Sequence, residues 1–253
     1  MAKLTIITIN YNNKAGLEKT LASVLGQSCM DFQYLVIDGA SDDGSRELIE
    51  QYGSRINHWV SEKDNGIYDA MNKGIKKAEG AYILFLNSGD FLIDHQRIAK
   101  VMPALQGKDI YYGNMVISEN GQEIARRKFT SQFVLTNLIR EAYPHPCMFT
   151  RRDLFDRFGL YDESYDIVSD WAFYTKAYIQ SGLRTQNLDL FITDYDNGGI
   201  SSTQIGKEQE ERRRLLTSVL SKEALADLKY LTKIKSRYER SFMGRLRRFL
   251  EEK

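Results

Sequence analysis

Four polar segments each follow directly on an apolar run: Asn10-Tyr11-Asn12-Asn13, Asp38-Gly39-Ala40-Ser41-Asp42-Asp43-Gly44, Glu62-Lys63-Asp64-Asn65-Gly66 and Asn87-Ser88-Gly89-Asp90. Carboxylates such as Asp38, Asp64, Asp90 and the later Asp170 can accept from ligand hydroxyls, bind a hard cation or take a proton. Glycines in such turns let a backbone approach a ligand closely. For any single segment, ordinary turn and cap chemistry explains the residues, because Asp, Asn, Ser and Gly are what turns require. Gathered on one edge of a sheet, they make a polar cleft.

The elements that must position them alternate. Leu4–Ile9, Tyr34–Ile37, the third run INHWVSE and Tyr82–Leu86 read as strands. Between them Leu17, Leu21, Val24 and Leu25, then Leu48, Ile49 and Tyr52, then Ile67, Met71, Ile75 and Ala78 recur at helical spacing. This β-α-β order predicts a mostly parallel α/β sheet flanked by helices, with ligands outside the carboxyl ends of the strands. From Asp109, DIYYGNMVI and a Glu-Asn-Gly-Gln turn predict a hairpin. Phe129 to Arg140 reads as irregular or helical, and Arg152–Phe158 and Asp170–Gln180 as helices.

Composition removes several classes. The 253 residues carry 35 Lys and Arg against 34 Asp and Glu, a net charge of +1, so no overall field favours nucleic acid. Cys29 and Cys147 make neither a disulfide framework nor a zinc site, and His58, His95 and His145 are not spaced as metal ligands. With no secretory signal and no apolar run near the ~20 residues of a membrane helix, a cytoplasmic protein is expected.

TIITINYNN, YLVIDGASDDGS, WVSEKDNGIYDAMNKGIKKAEGAYILFLNSGD and HPCMFTRRDLFDRFGLYDESYDIVSDW, in that order from about Leu4 to about Ile200, resemble the family 2 glycosyltransferases of the GT-A fold. The resemblance is greatest to bacterial enzymes that assemble capsule, exopolysaccharide or O-antigen. It implies an inverting transfer from a nucleotide-sugar donor, UDP by default, to a saccharide or lipid-linked acceptor. On these positions it implies that Asp38 holds uracil or ribose, that Tyr11 lies against the base, and that Asp64, Asn72 and Ser88 line the donor pocket. For Tyr11 a core role, and for Asn72 an exposed helical amide, are equally ordinary readings.

Asn87–Asp90 occupies the place of the family's acidic DxD motif, which holds Mg²⁺ or Mn²⁺ against the diphosphate. Here Asn87 replaces the first acid and Gly89 the last residue, leaving Asp90 as the carboxylate for a metal; the other reading is a cap for a helix near Asp94. Asp170 in Val168-Ser169-Asp170-Trp171 matches the catalytic base, with Asp162, Glu163 and Asp166 as nearby rivals that spacing does not separate. His145, between Pro144 and Pro146, aligns with a motif on the acceptor side and reads otherwise as a rigid turn residue. Arg151 and Arg152 are within range of a diphosphate or else solvated.

The chain divides into a GT-A domain, 1–205, and a helical extension, 206–253. From Lys229 to Arg248 the extension is basic, with Leu228, Leu231, Ile234, Tyr238, Phe242, Leu246, Phe249 and Leu250 at helical spacing and Gly244 as a weak point. Peripheral contact with the inner leaflet, packing on its own domain and homo-oligomer formation all remain open. A sugar-nucleotide pyrophosphorylase would need a Gly-rich phosphate loop after the first strand, which Asn10–Asn13 does not offer. A degenerate, non-catalytic homologue acting as a membrane adaptor is the alternative that the altered acidic motif raises.

Overall fold

The computed structural model describes residues 3–129, 133–140, 143–198 and 204–241. Strands β1 (Leu4–Asn10), β2 (Gln33–Asp38), β3 (His58–Ser61) and β4 (Tyr82–Phe85) alternate with helices α1 (Lys14–Leu25), α2 (Ser45–Tyr52) and α3 (Ile67–Lys77). Every residue of β1, β2 and β4 is buried, the signature of parallel strands covered on both faces. They lie in the order β3-β2-β1-β4, all parallel. The chain winds to one side of β1 for β2 and β3 and to the other for β4, so a crevice opens at the carboxyl ends of β1 and β4.

The second half departs from the parallel pattern. It adds β5 (Phe91–Leu92), α4 (Arg97–Val101), β6 (Ile110–Glu119), β7 (Gln122–Arg127), α5 (Leu135–Leu138), β8 (Met148–Arg151), α6 (Asp153–Phe158), α7 (Ser169–Ser181) and β9 (Thr185–Asp196). β8 joins β4 and β6 antiparallel, β9 runs parallel to β6, and β5 is antiparallel to β9. Among the described residues nine strands thus form one mixed sheet. The expected hairpin is β6–β7. Its turn places Asn120 and Gly121 at φ 51° and 78°, the left-handed pair that matches the twist of the flanking strands.

Helix α3 lies close on the sheet because Gly74 has no side chain. A Cβ there would stand 2.6 Å from Ile7 Cγ2. One core spans the sheet and its helices. A second, smaller core joins Tyr165, Val168, Trp171 and Ala172 to Leu215 of α8 (Ile205–Val219). Complete burial of Leu215 contributes about 1.5–3 kcal/mol to this contact. The last described helix, α9 (Lys222–Arg240), starts at Ser221, whose hydroxyl accepts from Ala224 N at 3.1 Å. Leu228 is buried, whereas Leu231, Ile234 and Tyr238 are exposed. Lys235 donates to Asn137 Oδ1 at 2.6 Å, beside α5. Phe242, Gly244, Leu246, Phe249 and Leu250 of the expected stripe lie outside the described residues. No helix among the described residues is long and apolar enough to cross a membrane.

Candidate active site

Asp38 ends β2 and is fully buried. Its Oδ1 accepts from Asn10 Nδ2 at 2.7 Å and Ser41 Oγ at 2.6 Å, and its Oδ2 from Ser61 Oγ at 2.6 Å and Ser41 N at 3.0 Å. Asn10, Asp38 and Ser61 are direct register partners, so one row of side chains crosses the ends of β1, β2 and β3. Asn10 Oδ1 is buried and finds no hydrogen-bond partner among the described residues.

Tyr11 projects from this row with 70% of its surface exposed and is not a core residue. Gly39 lies beneath it: a Cβ there would stand 3.1 Å from Tyr11 Cδ2 and 3.0 Å from Asp64 Oδ2. The structure therefore brings Tyr11, Asp38 and Asp64 together around one glycine. Burial raises the pKa of Asp64, an effect that Lys73, donating at 2.6 Å, partly offsets. Burial alone would lower the Lys73 pKa, but Asp64 and Glu62 outweigh it and raise the ammonium above its usual range. Asn72 faces elsewhere. Its amide is buried, donates to Tyr161 O and Glu163 Oε1 at 2.9 Å each and accepts from Tyr161 N at 3.0 Å. It fastens the 161–163 turn to α3.

On the other wall, Ser88 N donates to Ile9 O, and Ser88 O accepts from Asn13 Nδ2 at 2.9 Å. Asn13 also caps α1 through Gly16 N. Asp90 is buried and caps no helix; its Oδ1 accepts from Asp196 N at the end of β9 at 3.2 Å. Burial pushes its pKa up to about 7, opposed by His145 and reinforced by Asp196. Asn87 donates from Nδ2 to His145 Nε2 at 3.0 Å, while its buried Oδ1 finds no partner among the described residues.

Among the described residues no three His, Cys, Asp or Glu side chains converge as metal ligands. The oxygens that are present nevertheless suit a hard cation: the Asp90 carboxylate, the unpartnered Asn87 Oδ1 and the adjoining Asp196 carboxylate. Mg²⁺ sites commonly combine one or two carboxylates with water and substrate phosphates.

Asp170 is the second residue of α7. Its Oδ1 accepts from its neighbour's amide, Trp171 N, at 2.7 Å and from Tyr68 Oη at 3.2 Å, and its Oδ2 stands 3.3 Å from His145 Nδ1. With the carboxylate ionised, His145 carries its proton on Nδ1, and Nε2 accepts from Asn87. The carboxylate remains 18% exposed. Its three rivals are engaged elsewhere: Asp162 with Ser164 N, Glu163 with Asn72 and Asp166 with Lys207. Arg151 and Arg152 lie at the far end of β4, bound to Asp109 and Asp153 and to Gly80 O. Sequence reading missed Asn10, Ser41, Ser61, Tyr68 and Asp196. Asn10 and Ser41 had a signal in their own polar segments, Asp196 only the acidic end of the DYD triplet.

Residues 5–167, more than half of the chain, match the family described as Glycosyl transferase family 2. The chain belongs to that family. It is a glycosyltransferase. The PGL/p-HBAD biosynthesis glycosyltransferase of Mycobacterium bovis (strain BCG / Pasteur 1173P2) is 28% identical over 221 residues, 84% of each chain. The putative teichuronic acid biosynthesis glycosyltransferase TuaG of Bacillus subtilis (strain 168) is 36% identical over 90 residues, 34% of this chain and 36% of its own. S. aureus TarS 1-349 in complex with UDP superposes with a TM-score of 0.68 at 20% identity, over 96% of this glycosyltransferase and 73% of that chain. The fold is that of the GT-A glycosyltransferases.

Proposed function

We propose that this glycosyltransferase moves a sugar from a UDP-linked donor to a saccharide or lipid-linked acceptor in the synthesis of bacterial surface polysaccharide, with inversion at the anomeric carbon. The relatives named for glycolipid and teichuronic acid synthesis support the pathway class, and the UDP complex of TarS supports the donor class. The observation that supports the reaction is the continuous link Asn87–His145–Asp170, which joins the proposed base to the altered acidic motif.

In this reading Tyr11 stacks on the uracil, and Asp38, with its row of partners, forms the floor under the ribose. Asp64 presents its free Oδ2 to the donor. Asn87, Ser88 and Asp90 face the diphosphate, and Asp90 with Asn87 Oδ1 and Asp196 would hold Mg²⁺ or Mn²⁺. Such a cation neutralises the charge developing on the departing diphosphate. Asp170 Oδ2 takes the proton of the acceptor hydroxyl as its oxygen attacks, while Tyr68 and Trp171 N hold Oδ1 and His145 Nδ1–H fixes the plane of the carboxylate. Attack from the side opposite the leaving group inverts the configuration. The basic helix α9 brings the enzyme to the cytoplasmic face of the membrane where lipid-linked acceptors reside.

The test is turnover across a panel of nucleotide sugars with Mn²⁺, with EDTA, and in Asp170→Asn. Turnover of one UDP-sugar, lost in EDTA and in the variant, is expected. Undiminished transfer by Asp170→Asn removes the base, and full activity in EDTA removes the cation.

A further inference from the structure

Helix α7 begins without a side-chain cap, because the residue at its N-cap position is Val168. The amides of the three residues that lead into it are bound instead by α8, in the extension. Glu211, 7% exposed, accepts from Asp166 N at 2.9 Å through Oε1 and from Ile167 N and Val168 N at 3.0 and 3.2 Å through Oε2. A carboxylate at a helix N-terminus is favoured by the helix dipole and strengthens each of these bonds. Its neighbours reinforce the clamp. The Arg212 guanidinium lies 4.7 Å from the Trp171 ring centroid, and Arg214 lies 4.2 Å from that of Tyr165 and donates to Ser164 O at 2.7 Å. From the opposite side Tyr68 Oη donates to Ile167 O at 2.5 Å as well as meeting Asp170. The segment that carries Asp170 is therefore held between α3 and α8.

We infer that Glu211 is a positioning residue for transfer: by fixing residues 166–168 it sets the orientation of the Asp170 carboxylate against His145. The inference rests on the reading of Asp170 as the base. It makes the C-terminal extension part of the catalytic unit and not only an attachment device.

The experiment compares wild type, Glu211→Ala, Glu211→Gln and Asp170→Asn by ¹⁵N NMR of the histidine rings and by donor turnover. Glu211→Gln keeps the shape and one acceptor oxygen, and carries the test if Glu211→Ala does not fold. In both Glu211 variants the His145 ring signals shift in the direction seen in Asp170→Asn, while those of His58 and His95 stay in place. Turnover falls on the order of 10- to 100-fold in Glu211→Ala and less in Glu211→Gln, as a misplaced catalytic group requires, with donor KM changed less than about twofold. Wild-type His145 signals in both variants, or a loss in which KM and kcat change together, overturn the inference. Wild-type turnover by Asp170→Asn would instead overturn the base assignment, a result that the ring signals of the Glu211 variants distinguish from failure of the clamp.

Discussion

His145 Nδ1 faces Asp170 Oδ2 at 3.3 Å, and the two residues come from segments 25 positions apart. Pro144 and Pro146 restrict the backbone on both sides of the histidine, and the bonds to Asn87 and Asp170 orient its ring. The rigid turn and the proposed active-site role are thus compatible in the Pro-His-Pro segment. The proposed base is held at both oxygens, yet keeps an open face.

Asp170→Asn is expected to lower turnover about 10²- to 10⁴-fold, the range of general-base removal. The amide oxygen can still accept from Trp171 N and Tyr68, so the melting temperature should remain near that of wild type. A variant as active as wild type in donor turnover would refute the assignment.

Asp38→Ala leaves the Ser41 hydroxyl and N–H and the Ser61 hydroxyl without their acceptor in a fully buried place, and the Asn10 amide with Ser41 Oγ at 3.2 Å. A stability loss of about 2–5 kcal/mol follows. Asp38→Asn, which retains one acceptor oxygen, should fold and still bind UDP more weakly. Denaturant titration and calorimetry with UDP check both; undiminished UDP affinity would take Asp38 out of the nucleoside site.

The protonation of Asp90 makes the metal-free protein pH-sensitive. Burial holds its proton up to about 7, whereas the unfolded chain releases it near ~4. Below ~4 both states carry the proton; between there and about 7 the folded state alone does, so the contribution of this group to stability falls as pH rises across that window. Melting temperatures in EDTA should therefore decline over that range, and Asp90→Asn should flatten the slope. An identical slope in the variant would contradict the assignment.

Gly74→Ala reverses the usual rule for helices. In an exposed helix interior the change stabilises by about 1 kcal/mol. Here the new methyl meets Ile7 Cγ2 at 2.6 Å, and a net loss of about 1–3 kcal/mol is expected from overpacking. Chemical denaturation of the two proteins decides the sign.

Exposed Leu231, Ile234 and Tyr238, with Lys229, Lys233 and Arg237 on the same helix, suit an anionic lipid surface. Each cation near such a surface contributes on the order of 1 kcal/mol. Sedimentation with vesicles rich in phosphatidylglycerol should carry the protein down, less so as salt rises and not when those three cations become Glu. Equal sedimentation with neutral phosphatidylcholine would exclude the electrostatic part of the reading.

The sequence was informative where the chemistry is local. Fully buried parallel strands must be continuous apolar runs, so β1, β2 and β4 were legible, as were the polar segments that end them. The mixed second half was not, because the partners of β8 and β9 are chosen by tertiary packing. Asp196 reaches Asp90 across 106 positions, and Glu211 reaches the α7 entrance across 43 to 45. No periodicity reports such meetings. Asn72 was read as a donor-pocket residue, or else an exposed helical amide, for want of its partner: the amide closes a turn 89 residues away.

The row Asn10–Asp38–Ser61 lies within the sheet, at matched register on three adjacent strands, and not in the turns that follow. The turn at 42–44 can therefore be exchanged between relatives as a replaceable part, with the strand-borne carboxylate and its partner Ser41 staying where they are. A set of chimaeras differing only in that turn would separate its part in donor choice from the proposed hold of Asp38 on the nucleoside.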